Sequence, residues 1–585
     1  MKNKSFFLIT CGSEETWQFD KPIVFIGNWC RRFNRKHVWS KLDAIVAKPY
    51  GIDMKQKEID FLYINELVEG FIGEIAIALN NYHHIDKSVR YWRILIGHWL
   101  ARCFAMLYNR YQTLKQTIEL YDIGSTIFFK ADNEVLATYD TRDIIQKSHD
   151  DIFNNILYAM ILNCLDNSQI DTIYIGLDNC VCKRDNLKGR RNFYNHLKEK
   201  MFSLPQKHSK YFIASSYLPR MFELKLHLLL KQIPYRLNER VETIRTKIDI
   251  AAREELREHS LSSDNKGFDR FIRNILWYLF PISLLEGYRE NLDRVKNLSW
   301  PLKPKVIFTS NKFDHDDMFQ LYTAEKTEHE GTKYLIGQHG NNYGTYKFNY
   351  CEKECLSVCD KFISWGWRNE IEKVKPAFIF KTCGKRQKYD RKGFLLLVEK
   401  CLPERVETWD VFSEFGDYMK EQLEFYRLLP NYIREKTIVR FQKRNFNPTE
   451  YSEELRWKEK YPNANYDSGT AGINKLISKS RLVIHSYDST GTLETLSLNI
   501  PTLCFWRNGL DDLVSSARPY YQKMFDIGIF HNSPLSLVKT ILRIWGNPTL
   551  WWETPAVQTA VKEFCNKYAR NVRNPLNMLR DIIAE

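Results

Sequence analysis

The chain has 585 residues, a hydrophobic content of 44% and a formal net charge of +15 at pH 7. A single hydrophobic core stops growing near about 250–300 residues, so we expect at least two domains. The positive charge favours anionic partners such as nucleotides, phospholipid head groups or lipid-linked phosphates. Because the sequence holds no RNP, zinc-finger or helix-turn-helix pattern, we expect no nucleic-acid partner.

The cysteines and the apolar runs bear on the cellular compartment. There are 13 cysteines, an odd number, and the opening run MKNKSFFLIT is too short for the apolar region of a signal peptide. The longest apolar run, residues 275–285, contains Pro281 and falls short of the ~20 residues that a membrane span needs. We therefore expect a cytoplasmic protein with reduced thiols.

The N-terminal half is predicted to be rich in helices. Residues 6–10, 23–26 and 170–176 have the pattern of strands, whereas residues 55–120 and 212–297 have that of helices. A basic segment begins at Lys183 and ends at Lys210, with nine lysines and arginines against two acidic residues. It is either a contact for an acidic inner-membrane surface or a polyanionic acceptor, or else a solvated helical face with a loop.

Short apolar runs alternate with helical or loop segments after Pro304. This alternation predicts parallel sheets with crossover helices. The basic segment 381–392 is the best linker, so we place an acceptor and catalytic domain at 1–384 and a donor domain at 385–585. We predict an α/β protein with two Rossmann-like domains facing across a cleft, and a C-terminal helix that packs back.

A glycine-rich loop, GQHGNNYG, follows the predicted strand at 334–337. Its glycines allow a ligand to approach closely, and its amides offer hydrogen bonds. His339, at the carboxyl end of a strand, is in position to act as a general base or to bind a phosphate. We assign Gln338, Gly340, Asn341 and Tyr343 of this loop to donor binding.

An acidic cluster, DHDD, follows the predicted strand at 305–310. Its carboxylates repel one another unless they are exposed, paired or bound to a cation. Asp314 and Asp316 have the spacing of a metal–nucleotide site, but this spacing is common by chance. Asp316 or Asp317 could cap the next helix or serve as a nucleophile or base.

The segment 481–506, RLVIHSYDSTGTLETLSLNIPTLCFW, is the most informative part of the sequence. It predicts a buried strand, a polar turn, a short helix capped by Ser489 or Thr490, and a second strand. Hydroxyls and free backbone N–H groups at a helix N-terminus favour an anion, most often a phosphate. Capping without a ligand is the alternative.

Three cations follow the predicted strand at 437–441, namely Arg440, Lys443 and Arg444. They are either the partners of a donor phosphate or ordinary surface charge. The cysteines at 351, 355 and 359 match no zinc or iron–sulfur spacing, so we predict no metal.

Several motifs together resemble a family of bacterial sugar transferases encoded in O-antigen clusters, which is similar to GT-B transferases that use CMP-activated Kdo. The matching pieces are ETW (15–17), GNWC (27–30), RYWRILIG (90–97), GQHG (337–340), WGW (365–367), ST (489–490) and LETL (493–496). The resemblance implies transfer of an acidic ulosonate from CMP to a lipid-linked or lipopolysaccharide glycan. It implies no metal and no cofactor besides the CMP-sugar.

The same resemblance implies roles for individual residues. Ser489 and Thr490 would hold the donor phosphate, with Ser486 and Tyr487 nearby, and Glu494 would suit the ribose hydroxyls. His339 would face the donor from the other domain.

Two stereochemical routes are open. If configuration is inverted, His339 or an aspartate deprotonates the acceptor hydroxyl. If it is retained, as the resemblance to β-Kdo transferases implies, Asp316, with Asp317 as its rival, is the nucleophile that first captures the anomeric carbon. A CDP-polyol phosphotransferase and a non-catalytic assembly scaffold are the alternative functions.

Overall fold

The computed structural model describes residues 5–165, 168–177, 206–235, 240–262, 265–386, 388–406, 409–442 and 451–585. Its strands, all in parallel pairs, are β1 (Phe6–Ile9), β2 (Ile23–Phe25), β3 (Ala44–Val46), β4 (Ile123–Lys130), β5 (Asp171–Gly176), β6 (Tyr211–Ala214), β7 (Val306–Thr309), β8 (Lys333–Gly337), β9 (Lys361–Ser364), β10 (Val374–Pro376), β11 (Phe394–Val398), β12 (Thr437–Arg440), β13 (Asn465–Asp467), β14 (Ser480–His485), β15 (Thr502–Phe505) and β16 (Phe530–His531).

The α-helices lie between and around these strands. They are α1 (Lys36–Trp39), α2 (Met54–His83), α3 (Val89–Leu120), α4 (Asp143–Lys147), α5 (Asp151–Cys164), α6 (Arg220–Leu229), α7 (Ile250–Ser260), α8 (Gly267–Leu279), α9 (Tyr288–Lys296), α10 (Asp317–Glu330), α11 (Tyr350–Val358), α12 (Phe415–Leu428), α13 (Asn431–Arg434), α14 (Glu453–Lys460), α15 (Ile473–Ile477), α16 (Thr490–Ser497), α17 (Arg518–Asp526), α18 (Pro534–Ile544), α19 (Pro548–Trp552), α20 (Pro555–Tyr568) and α21 (Pro575–Ala584).

The chain divides into two compact units. Unit 1 comprises residues 1–215 and 231–334, and unit 2 comprises residues 216–230 and 335–585. The predicted boundary at 384/385 lies between β10 and β11 and inside unit 2. The assignment of acceptor and donor domains to the two sides of that boundary stays a prediction.

Unit 1 is built on a parallel sheet and two long helices. The sheet has the strand order β3-β2-β1-β4-β5, and its central strand β1 is a nearly continuous apolar run because both faces are covered. The helix α2 starts at Asp53, whose carboxylate accepts hydrogen bonds from the N–H groups of Lys55 and Gln56. The helix α3, which begins after Ser88, is buried along most of its length. The predicted helix-rich N-terminal half is confirmed.

Unit 2 contains a six-stranded parallel sheet with the order β13-β12-β11-β14-β15-β16. Its core packs the sheet against α12 and α18, which bury Phe415, Phe425, Leu537 and Ile541. This order is the doubly wound arrangement of nucleotide-binding folds, in which the direction of winding reverses between the first and fourth strands, here β11 and β14. The α/β prediction with parallel sheets is confirmed.

The C-terminal helices pack inside unit 2. The helix α20 packs against α16 and α17, and after it Arg570 N donates to Trp365 O at 2.8 Å, just beyond β9. Arg570 O in turn accepts from Ile379 N at 3.0 Å. The last part of the chain therefore contacts both the β9 region and the helix that follows β14.

Candidate functional site

The strand order of unit 2 places a candidate ligand site. In an open parallel sheet, ligands bind outside the carboxyl ends of the strands where the winding reverses. That point lies between β11, which is followed by Glu399 and Lys400, and β14, which is followed by Ser486, Tyr487 and Asp488. The segment that the sequence singled out for a phosphate therefore lies at the reversal point.

The N-terminus of α16 is capped by a hydroxyl. Ser489 Oγ accepts from Thr492 N at 3.2 Å, and Thr492 Oγ1 accepts from Ser489 N at 3.4 Å. This reciprocal cap satisfies two donors. Among the described residues the N–H groups of Thr490 and Gly491 donate no hydrogen bond. An uncharged cap and two unused N–H groups leave the positive end of this helix available for an anion.

His485 leaves no room for a side chain at position 491. A Cβ built on Gly491 would lie 2.7 Å from His485 Cε1, closer than atoms can approach. His485 is buried, and burial lowers the pKa of its imidazole to about 3, so the ring is neutral. Its Nε2 lies 3.3 Å from Thr495 Oγ1.

The glycine-rich loop after β8 contacts α16. Asn341 N donates to Thr490 Oγ1 at 3.0 Å. A Cβ on Gly340 would lie 2.7 Å from the same oxygen, so a larger residue cannot fit without moving the loop or the threonine. The two motifs predicted to form the two sides of a site are therefore brought together within unit 2.

Gln338 holds the loop rather than pointing to a ligand. Its side-chain oxygen accepts from Trp365 N at 2.8 Å and from Trp367 Nε1 at 2.9 Å, while its Nε2 donates to Gly340 O at 2.8 Å. Tyr343 is also engaged inside the protein, since its hydroxyl lies 3.2 Å from Cys351 Sγ. The structure gives both residues a role in positioning.

His339 lies beside an aromatic residue that the sequence analysis did not single out. Tyr217 Oη is 3.5 Å from His339 Nε2, and the two rings meet edge to face at 5.3 Å between centroids. Tyr217 has φ +64°, a left-handed conformation that is strained for a tyrosine and that clusters at functional sites. Lys381 Nζ lies 4.8 Å from the centre of the Tyr217 ring and 3.8 Å from Glu494 Oε1.

A buried carboxyl follows β11. Tyr418 Oη donates to Glu399 Oε2 at 2.6 Å, accepts from Lys400 N at 2.7 Å and lies 2.9 Å from Ser486 Oγ. Burial raises the pKa of Glu399 to about 8, so the carboxyl is largely protonated at neutral pH. Ser486 is thus part of a buried network, and Lys400 Nζ lies 5.1 Å from the ring centre of Tyr487.

A second carboxyl lies in the turn before α16. Burial raises the pKa of Asp488 to about 6, although the hydroxyl of Tyr521, which donates to its Oδ2 at 2.8 Å, opposes the shift. Sequence reasoning missed Glu399 and Asp488 as functional candidates. Their signal was a single acidic residue directly after a buried strand, or in the turn after one.

The aspartates at α10 lie in unit 1 and have partners there. Asp316 caps the helix, with Oδ1 accepting from Phe319 N at 3.2 Å and Oδ2 paired with the ammonium of Lys312. Asp317 accepts from the N–H and hydroxyl of Thr141 and from the hydroxyl of Ser283. Burial, followed by the nearby charge of Asp140, raises the pKa of Asp317.

The remaining predicted residues have the following positions. Arg440 pairs with Asp467 at 3.0 Å and donates to Ala471 O at 3.2 Å. Lys443 and Arg444 lie outside the described residues, as does most of the basic segment 183–210. Within the described part of the chain there is no group of three or more metal-ligating side chains, and no helix is long and apolar enough to cross a bilayer.

The fold defines an α/β protein with parallel sheets, one of them doubly wound. The chain belongs to the LIC12162 family of transferases, because the model of that family, described as "LIC12162 family transferase", matches residues 6–583. No curated protein matches the chain.

Three solved structures are similar to parts of this chain. A putative UDP-N-acetylglucosamine 2-epimerase from Listeria monocytogenes is 12% identical, with 63% of this chain and 93% of that one covered and a TM-score of 0.36. MurG from Acinetobacter baumannii is 12% identical, with 65% and 99% covered and a TM-score of 0.33. MnaA from S. aureus, in a structure with UDP, is 10% identical, with 65% and 98% covered and a TM-score of 0.35.

Proposed function

We propose that this transferase is a GT-B-like glycosyltransferase that moves an acidic ulosonate sugar, Kdo or a relative, from CMP to a lipid-linked or lipopolysaccharide glycan. The observation that carries the proposal is the open N-terminus of α16, where the N–H groups of Thr490 and Gly491 have no acceptor among the described residues. One such terminus suits the single phosphate of a CMP-sugar, without a metal.

Two buried carboxyls lie near this terminus and act differently on an anionic ligand. Asp488, with a pKa of about 6, is mostly ionised at neutral pH and opposes an anion, whereas burial keeps Glu399 largely protonated. A neutral carboxyl does not repel an incoming phosphate. In the proposal Thr490 and Ser489 hold the phosphate end of the donor, and Glu494, one turn further along α16, lies beside the sugar or ribose hydroxyls.

His339 is the proposed general base. The acceptor oxygen attacks the anomeric carbon, the bond from that carbon to the phosphate oxygen breaks, CMP leaves, and the acceptor proton passes to the His339 imidazole. The retaining route would need Asp316 to give up its cap and its pairing with Lys312. We therefore propose the inverting route. A substitution of Asp316 tests the retaining route.

Thermal-shift titration with CMP, CDP, UDP and GDP tests the donor class. We expect CMP alone to raise the midpoint of unfolding. Stabilisation by CDP alone would indicate a CDP-polyol phosphotransferase, and stabilisation by none of the four would indicate a non-catalytic assembly scaffold.

Release of CMP from CMP-Kdo in the presence of a glycan acceptor tests the chemistry. His339→Gln should lose turnover by about 100-fold or more while it still binds CMP. Asp316→Asn is the matched comparison. If this variant folds and binds CMP but loses turnover, and a covalent sugar adduct forms on the wild-type protein, the retaining route through Asp316 replaces the one proposed.

The membrane location is a further part of the proposal. A lipid-linked acceptor requires the protein to work at the cytoplasmic face of the inner membrane, and the net charge of +15 suits an anionic bilayer. Co-sedimentation with vesicles tests this, and we expect more protein in the pellet with anionic vesicles than with neutral ones. The same amount of protein in the pellet with either vesicle and without vesicles would contradict it.

A further inference from the structure

Lys381 is held beside α16 by its two neighbours. It is the middle residue of a short 3-10 helix, Phe380–Thr382, in which Phe380 and Thr382 are buried. A hydrogen bond of 3.1 Å joins Ser497 Oγ, at the end of α16, to Thr382 Oγ1. The backbone of Lys381 is therefore fixed next to α16, while its side chain remains about one-third exposed, at 32%.

The ion pair that the described residues show for Lys381 is a loose one. Lys381 Nζ lies 3.8 Å from Glu494 Oε1, and the Glu494 side chain is 30% exposed. An ion pair this long and this exposed contributes little to stability. The ammonium can therefore exchange the Glu494 carboxylate for the carboxylate of a ligand at small cost.

The same ammonium is connected to the proposed base through Tyr217. It is 4.8 Å from the ring centre of Tyr217, and Tyr217 Oη is 3.5 Å from His339 Nε2. The left-handed backbone of Tyr217, at φ +64°, maintains this arrangement at the expense of local strain. Lys381, Tyr217 and His339 thus form one contiguous group.

We infer that Lys381 binds the carboxylate of the transferred sugar and is the residue that makes the site specific for an acidic donor. This inference rests on the proposed function. In a ulosonate the carboxylate is attached to the anomeric carbon, so the cation that binds it must lie beside the group that acts at that carbon. Lys381 and His339 both contact Tyr217, Lys381 through its ring and His339 through its hydroxyl, which is the basis of this assignment.

The phosphate and the carboxylate have separate places in this arrangement. The phosphate lies at the N–H groups of Thr490 and Gly491, and Lys381 lies beside Glu494, one turn and about 6 Å further along α16. Both anionic groups of a CMP-ulosonate are attached to the same carbon, so their partners must be neighbours. A donor whose sugar lacks the carboxylate would leave Lys381 paired with Glu494.

The test compares the binding of CMP and of freshly prepared CMP-Kdo by calorimetry. Wild-type protein should bind CMP-Kdo more tightly than CMP by about 10- to 100-fold, the effect of one charge-assisted hydrogen bond. Lys381→Met should remove this preference and leave the affinity for CMP within about twofold of wild type. Lys381→Arg should restore most of the preference, and Lys385→Met, an exposed lysine of the same segment, should leave both affinities unchanged.

Each other result overturns a distinct part of the argument. If Lys381→Met weakens CMP and CMP-Kdo equally, Lys381 acts on the phosphate and the inference is wrong. If the variant keeps the preference, the carboxylate is bound elsewhere, and the inference is wrong as well. If wild-type protein binds neither ligand, the proposed function itself fails, which is seen before any variant is made.

Discussion

Two helices of this protein each follow a parallel strand but differ in what their first turn can bind. The helix α10 of unit 1 follows β7, and α16 of unit 2 follows β14. At α10 the cap is the carboxylate of Asp316, which accepts from Phe319 N, and the next residue, Asp317, accepts from Thr141 and Ser283. At α16 the cap is the hydroxyl of Ser489. A charged cap neutralises the positive end of a helix, whereas a hydroxyl cap leaves that charge for a ligand.

The largest effect on stability is expected at the start of α10, for Asp317→Ala. The substitution leaves the buried donors of Thr141 and Ser283 without an acceptor, which should lower the free energy of unfolding by about 2–5 kcal/mol. Urea denaturation measures this loss. The matched variant Asp317→Asn retains an acceptor and should lose less. Equal stability of Asp317→Ala and wild type would remove the structural role assigned to this aspartate and favour a catalytic one.

Stability measured over a range of pH should sharpen the comparison for the site in unit 2, through the buried carboxyl of Glu399. The folded-state pKa of about 8 is above the ordinary value of 4.5, so the folded protein holds a proton that the unfolded chain has released. Stability from this group should fall as pH rises from about 5 to about 8, by an amount on the order of several kcal/mol. Glu399→Gln should flatten the curve of urea midpoint against pH. An unchanged slope would show that the carboxyl is ionised when folded.

The contact between the glycine loop and α16 can be broken by a single methyl group. Gly340→Ala places a Cβ near Thr490 Oγ1 and should weaken CMP binding by about tenfold or more. Thr490→Ala removes that oxygen and should weaken binding by a similar factor. Because the two act on one contact, the double variant should be no weaker than Thr490→Ala alone. If the two losses of CMP affinity multiply in the double variant, the loop and the helix bind CMP independently.

The smallest effect on the donor is expected for Arg440→Met. Its guanidinium pairs with Asp467 at 3.0 Å and with the carbonyl of Ala471 at 3.2 Å. The affinity for CMP should therefore change by less than about twofold, with stability reduced by about 1 kcal/mol. A tenfold loss of CMP affinity in a stable variant would instead make Arg440 a phosphate partner, as the sequence predicted.

Local patterns in the sequence predicted the parts of this site that are local in the chain. The apolar run before His485 and the hydroxyls after it predict a strand, a turn and a capped helix, because each depends on residues within one or two turns. The structure resolves the choice of cap in favour of Ser489. The α/β class follows from the same alternation of runs.

The rest of the site depends on contacts between residues that are far apart in sequence. Tyr418 contacts both Glu399 and Ser486 from a separate element, and no spacing in the sequence indicates these pairings. The basic and polar segment that contains Lys381 predicts a linker, although the neighbours of Lys381 are buried against α16. The glycine-rich loop predicts a ligand contact for the amide of Gln338, whereas this amide is hydrogen-bonded to Trp365 and Trp367, which follow a different strand.

The hydrogen bond from Asn341 N to Thr490 Oγ1 also bears on what the Thr490 hydroxyl can offer a ligand. Because its oxygen already accepts from the loop, its hydrogen can be donated. Together with the N–H groups of Thr490 and Gly491, this hydroxyl offers three donors at the start of α16. The glycine loop therefore favours a ligand that presents acceptor atoms to this end of the helix.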